Sequence, residues 1–235
     1  MNFILQSIGM FINDAFWVFF WFLFFQKFID VNGWTFITMM MLYSIGETSY
    51  GLCSIFFGNR SRLANLIENG SLDYYLTLPK EIISHFLAKF KYSGIGDLVF
   101  GLLLAFFVIS LKQLPLFILL VISSSLILIS WSILAGSLAL YFNKSSAASK
   151  SMNDSILLLL GYPFSVYEGF SKFLILFIIP AGFVAGVPVE LLINFDIKWL
   201  IYLLLFTISI FLISIYIFYK GLIRYSSGNS MNMRG

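Results

Sequence analysis

Three acidic residues stand inside long apolar runs: Asp14 in 4–26, Glu47 in 34–58 and Asp97 in 92–111. A charge at the centre of a bilayer costs about 2.5–3.5 kcal/mol on insertion scales, so a carboxyl group there faces a protein interior or a wet cavity. Such groups either line a polar path for a substrate or carry protons in an ion-coupled transporter. The structural alternative is a buried helix–helix hydrogen bond or a solvated interfacial carboxylate. Glu47 is the deepest, about thirteen residues into a run of about 25. Ser44, Gly51 and Ser54 are its small neighbours on the same helix face, and no Lys or Arg lies deep in any run.

Other chemistry has little support. His85 is the single histidine, with no second histidine or cysteine near it to complete a metal site. Cys53 is the single cysteine and sits in an apolar run, where it reads as a small packing residue. No G-x-S-x-G elbow and no G-x-x-x-x-G-K-[ST] phosphate loop occurs, so the chain carries no catalytic set and no P-loop of its own.

The elements that must hold the three acids follow from composition. Of 235 residues, 60% are hydrophobic and 11% charged. Soluble domains carry roughly 25% charged residues, so the bilayer is the solvent here. The net charge of +3 is spread over loops and offers no nucleic-acid patch. The expected fold is an all-α integral membrane protein, one transmembrane domain over 1–235. Six spans are predicted, at about 4–26, 34–58, 92–111, 115–142, 172–190 and 199–219, each near the length a bilayer requires. An interfacial or re-entrant segment near 146–166 is expected before the fifth span.

The loops on one side hold Arg60, Arg62, Lys80, Lys89, Lys91, Lys144, Lys150, Lys172, Lys220, Arg224 and Arg234; the others hold Lys27, Lys112 and Lys198. This bias places both termini in the cytoplasm by the positive-inside rule. Asp14 and Asp97 then lie nearer the cytoplasmic ends of their spans.

The sizeable cytoplasmic loop is 59–91. Leu63, Leu66 and Ile67 have helical spacing, Asn69-Gly70 stops that helix, and Ser71 can cap a short turn Leu72-Asp73-Tyr74-Tyr75-Leu76. Pro79 suits the start of an amphipathic surface helix with Ile82, Ile83, Phe86, Leu87 and Phe90 on one face and Lys80, Glu81, Ser84 and Lys89 on the other. Stripes of small residues recur at spacings of three and four: Ser44, Glu47, Gly51, Ser54 and Gly58 in the second span, Gly94, Asp97, Gly101 and Ala105 in the third, Ser132 and Gly136 in the fourth, and Gly182 and Gly186 in the fifth, the acids Glu47 and Asp97 lying on their stripes. Such stripes let helices pack closely in lipid.

Four segments in order carry a resemblance. They are Ile67-Glu68-Asn69-Gly70-Ser71-Leu72-Asp73-Tyr74-Tyr75-Leu76-Thr77-Leu78-Pro79, Gly94-Ile95-Gly96-Asp97, Ile179-Pro180-Ala181-Gly182-Phe183-Val184-Ala185-Gly186-Val187-Pro188-Val189-Glu190 and Gly221-Leu222-Ile223-Arg224-Tyr225-Ser226-Ser227-Gly228. Together they resemble the permease subunits of ABC-2-type ABC transporters, in particular the small six-span bacterial branch. The resemblance implies a non-catalytic permease of an ATP-driven exporter in the bacterial inner membrane. Two copies of a separate ATP-binding subunit would bind ATP and Mg, and this chain would need no cofactor. A second permease subunit, a different homologous chain, would complete the path. Leu72, Asp73, Tyr74 and Leu76 would contact the ATPase, and Glu47, Asp14 and Asp97 would line the substrate path. Rival expectations are a secondary ion-coupled transporter using the three carboxylates, or a membrane scaffold or immunity-type protein. The apolar run begins at Phe3, so a preceding elbow helix is expected to be short or absent.

Overall fold

A computed structural model describes residues 2–79, 81–162 and 166–225. Lys80, Ser226, Ser227, Gly228 and Arg234, used above, lie outside the described residues, as do 163–165 of the segment expected to be re-entrant. Among the described residues the protein is all-α, with two isolated bridges and no β-strand.

Helix α1 (Asn2–Lys27) is apolar on nearly every face and leaves Phe16, Phe19, Phe20 and Leu23 exposed. A tight turn follows, in which Asn32 and Gly33 take positive φ and Val31 pairs with Trp34. It returns the chain into α2 (Phe36–Phe56). The 59–91 loop folds as a 3-10 turn Arg60–Arg62, then α3 (Leu63–Glu68), α4 (Leu72–Leu76) and α5 (Ile82–Leu87). Next come α6 (Ser93–Val108) and α7 (Leu114–Ser137), the latter extended by a 3-10 turn Leu138–Leu140. Helix α8 spans Ser146–Leu160, α9 Gly169–Phe173, α10 Val187–Ile193 and α11 Ile197–Leu222. Ile4–Lys27, Leu114–Leu140 and Ile197–Leu222 are each long and apolar enough to cross a bilayer.

Residues 169–193, where the fifth span was expected, form a bent pair. The predicted span 172–190 is not one straight rod. Helix α9 runs on through a π turn, Leu174–Ile178, the chain breaks at Ile179–Ala181, and a second π turn, Gly182–Gly186, leads into α10. The two arms meet at 83°. Pro180 causes the break: it has no N–H to donate, and its ring drives Ile179 into extended backbone at φ −118°, ψ 94°. Lys172 on the first arm lines one cavity with Glu190, Asn194, Asp196 and Trp199 around the end of the second. At the end of the second arm, Gln113 Nε2 donates to the Leu192 carbonyl at 2.8 Å.

Helix α8, in the segment expected to be interfacial or re-entrant, runs from the loop toward α1 and α2. Its first residue is held at the loop end, where Glu68 accepts from Ser146 N at 2.9 Å. Just beyond its last turn, the Tyr162 ring lies 6.3 Å from that of Trp21, near the far end of α1.

The helix expected from Pro79 is also shorter. It begins at Glu81, whose carboxylate accepts from Ile83 N and Ser84 N. It ends at Leu87 because Lys89 turns to pair with Phe57, and Gly58 N donates to the Lys89 carbonyl at 2.8 Å. Ile83, Phe86 and Leu87 are buried as the pattern requires, whereas Phe90 falls beyond the helix and is exposed. Partial burial tends to raise the Glu81 carboxyl, but hydrogen bonds from Tyr219 and the helix start outweigh it and hold the group below the usual carboxylate range.

The small residues of α2 and α6 set the position of Asp97. A Cβ on Gly101 would lie 2.5 Å from the Thr48 nitrogen, and one on Gly51 would lie 2.5 Å from the Leu98 nitrogen. On the other side of α6, a Cβ on Gly96 would lie 2.2 Å from the Ser7 carbonyl oxygen of α1. Helix α6 is thus clamped backbone to backbone between α1 and α2. Gly101→Leu should force α2 and α6 apart and destabilise the protein by about 1–3 kcal/mol or more, the scale of core overpacking. Thermal unfolding of the purified chain in detergent would register this, and an unchanged midpoint would contradict the clamp.

Candidate functional site

The clamp brings the three acids together. Asp14 from α1, Glu47 from α2 and Asp97 from α6 each present a carboxylate oxygen, and these oxygens lie within 4.8 Å of one another. They line a cavity of about 280 Å³ between α1, α2, α6 and the last turn of α8. Asp14 is 4% exposed and Asp97 1%. Asn13 Nδ2 donates to Asp14 Oδ1 at 3.3 Å. Asp14 Oδ2 and both Asp97 oxygens have no hydrogen-bond partner among the described residues. Trp17, Tyr43, Tyr50 and Tyr162 supply aromatic walls, and Leu157, Leu158 and Leu160 close the cavity from α8. Trp21 Nε1 donates to the Tyr43 hydroxyl at 3.1 Å and fixes that ring.

At the loop end, Arg60 is 4% exposed, although it counts as a loop charge in the sequence. Its guanidinium donates from Nη1 to Ser132 Oγ at 3.0 Å, and Ser132 donates to Asn153 Oδ1 at 2.6 Å. The same guanidinium sits 4.7 Å over the ring of Tyr50, a wall of the acidic cavity. Glu68 accepts from Ser145 Oγ as well as from Ser146 N. One loop therefore holds α7 through Ser132 and the start of α8 through Glu68, while Ser132 in turn ties the middle of α8 through Asn153. The tip of that loop is α4. Leu72 is fully buried, Tyr74 is 65% exposed and Leu76 42%.

A family model described as ABC-2 family transporter protein matches residues 11–229, a stretch that contains all four of the segments quoted above. The chain belongs to the ABC-2 transporter family. No curated protein and no solved structure matches it. As an ABC-2 permease it is a membrane transport component, non-catalytic in itself.

The structure sorts the candidate residues of this permease unevenly. Asp14, Glu47 and Asp97 form one cluster, a convergence that their separate positions in sequence do not reveal. Asp73, Tyr74 and Leu76 stay on one accessible turn, but Leu72 does not: it packs into the core and anchors the turn from beneath. Gly182 and Gly186 are buried in the second arm of the bent pair, where they line a narrow gap with Leu42, Leu160 and Ile175. Ser124 Oγ of α7 donates to the Val184 carbonyl of the same arm at 2.6 Å. Sequence reasoning missed Arg60, Glu68 and Tyr162. Arg60 and Glu68 had a signal, since both stand beside buried apolar positions of α3, but nothing in the sequence named their partners on α7 and α8.

Proposed function

We propose that this ABC-2 permease forms half of the substrate path of an ATP-driven exporter in a bacterial cytoplasmic membrane. Two copies of a separate ATP-binding subunit, which hold the ATP and Mg, drive it from the cytoplasmic side. A second and different permease subunit completes the path. The six crossings are α1, α2, α6, α7, α8 and α11, with 169–193 re-entrant from outside and both termini cytoplasmic. With Lys172 then outside, ten of the fourteen Lys and Arg residues fall on the cytoplasmic side, a bias that supports that orientation.

One observation carries the proposal. The exposed turn Asp73-Tyr74-Leu76 belongs to a loop that is hydrogen-bonded to α7 and α8, and the far end of α8 walls the acidic cavity. An ATPase gripping α4 moves that loop, and the loop carries the displacement through Arg60 and Glu68 to α8. A shift of α8 at Leu157–Leu160 changes the width of the cavity. Asp14, Glu47 and Asp97 then act as the polar patch on the path. The secondary ion-coupled alternative rests on the same three carboxyl groups, used as proton sites.

The test is purification of the tagged complex from native membranes in mild detergent. A P-loop ATPase should accompany the permease. The double variant Asp73→Lys, Tyr74→Ala should lose it at least about tenfold, the scale of one interface hot spot, while the membrane part stays folded. Equal recovery of the ATPase with the double variant would overturn the docking site. Ser71→Cys, with Cys53 replaced, should resist an impermeant thiol reagent in intact cells, and ready labelling from outside would reverse the orientation.

A further inference from the structure

We infer that the Asp14–Glu47–Asp97 cavity is a site for an organic primary ammonium with an apolar body. The inference rests on the substrate-path reading above and names the substrate class. Besides the clustering itself, a separate observation points to a ligand: Asp97 is 99% buried, lines the cavity, and neither of its oxygens has a hydrogen-bond partner among the described residues. Asp14 Oδ2 is in the same position. Lys91 and Arg60 act on Asp97 only through space, and neither hydrogen-bonds to it. A buried carboxylate without a partner is costly, so the cavity favours a cation that supplies donors.

The lining selects the kind of cation, and the spacing admits it. An –NH₃⁺ group has three donors. Three acceptors, each about 2.8 Å from its nitrogen along tetrahedral directions, are about 4.6 Å from one another. The three carboxylate oxygens here lie within 4.8 Å of one another. A small divalent ion held at about 2.1 Å draws neighbouring oxygens to about 3 Å apart and needs further oxygen ligands. Apart from Asn13 and the tyrosine hydroxyls, the rest of this cavity is rings and aliphatic side chains. Trp17, Tyr43 and Tyr162 present aromatic surface, which suits both a cation and its apolar body. Room for that body is left by Gly46, at which an added Cβ would meet nothing within 4 Å. A bare proton would need none of this volume.

The experiment is equilibrium binding of radiolabelled phenethylamine to the purified full chain in detergent, with 2-phenylethanol and Mn²⁺ as competitors. Saturable amine binding is expected, with little competition from the neutral alcohol or from Mn²⁺. Glu47→Gln and Asp97→Asn should each weaken binding roughly tenfold or more, the scale of one lost charge-assisted hydrogen bond. Gly46→Leu, which fills the cavity and keeps all three carboxyl groups, should weaken it as much, so the test holds even where a carboxyl variant misfolds. Competition by the alcohol at concentrations matching the amine would overturn the inference. So would displacement by Mn²⁺, absence of saturable binding, or unchanged binding in Gly46→Leu. The assay uses no nucleotide and no ATPase. A failed amine site would therefore leave ATPase recovery intact, and failed ATPase recovery would leave amine binding intact.

Discussion

Arg60→Ala should destabilise the permease by about 2–4 kcal/mol, the cost of breaking a buried charge-assisted contact and leaving its partners unsatisfied. The side chain is almost wholly buried, donates to Ser132 and lies over Tyr50. Truncation removes the donor, leaves a hollow beneath the loop and unseats a wall of the cavity. Arg60→Met separates the two contributions, because it fills the space without the charge. Thermal unfolding in detergent should give a large fall for Arg60→Ala and a smaller one for Arg60→Met. ATP hydrolysis by the assembled complex should continue in Arg60→Met while its coupling to transport falls. Equal midpoints for wild type and Arg60→Ala would show that the hub does not hold the loop to α7.

Glu68→Ala should have the second large effect, and mainly on coupling. The carboxylate caps the start of α8 through Ser146 N and Ser145 Oγ. Losing a cap of this kind costs about 1–2 kcal/mol, and a carboxylate at a helix N-terminus also favours the helix dipole. The greater loss is mechanical. Without this link, the loop can follow the ATPase while the first turn of α8 stays behind. Expected results are near-normal ATPase recovery and hydrolysis with transport reduced several-fold. Glu68→Gln, which keeps an acceptor and drops the charge, should recover part of the transport. Transport equal to wild type in Glu68→Ala would remove this link from the route.

Composition and run length were enough to give an all-α membrane protein and the places of α1, α2, α6, α7 and α11, because each is a long uninterrupted apolar stretch. They say less about the form of 146–193, for a definite reason. The apolar half of α8 is short, and its Ser- and Asn-rich first half reads as polar loop, although Ser149 and Asn153 are buried against neighbours and hydrogen-bonded to each other. Phe173–Leu191 has the hydropathy of a crossing, but hydropathy does not register what Pro180 does to backbone direction. In the site, Asp14, Glu47 and Asp97 were legible as unusual residues, since charge in an apolar run is conspicuous. Their meeting depends on the backbone contacts at Gly96 and Gly101, which fix the rotation and depth of α6. That information lies in the packing of three helices and in none of them singly. Leu72 illustrates the opposite failure: its motif was conspicuous, but the motif mixes an anchor with exposed positions, and burial alone separates them.

The most direct test of ATP drive asks whether nucleotide at the partner ATPase changes the cavity. Leu158→Cys, with Cys53 replaced, puts a thiol on the α8 wall at a position that is 69% exposed. In proteoliposomes holding the whole complex, the rate at which an impermeant maleimide labels that thiol should change several-fold when ATP with vanadate is trapped at the ATPase. A pH gradient alone should leave the rate unchanged. Labelling that ignores trapped nucleotide and responds to the pH gradient would contradict ATP drive and establish an ion-coupled transporter in its place.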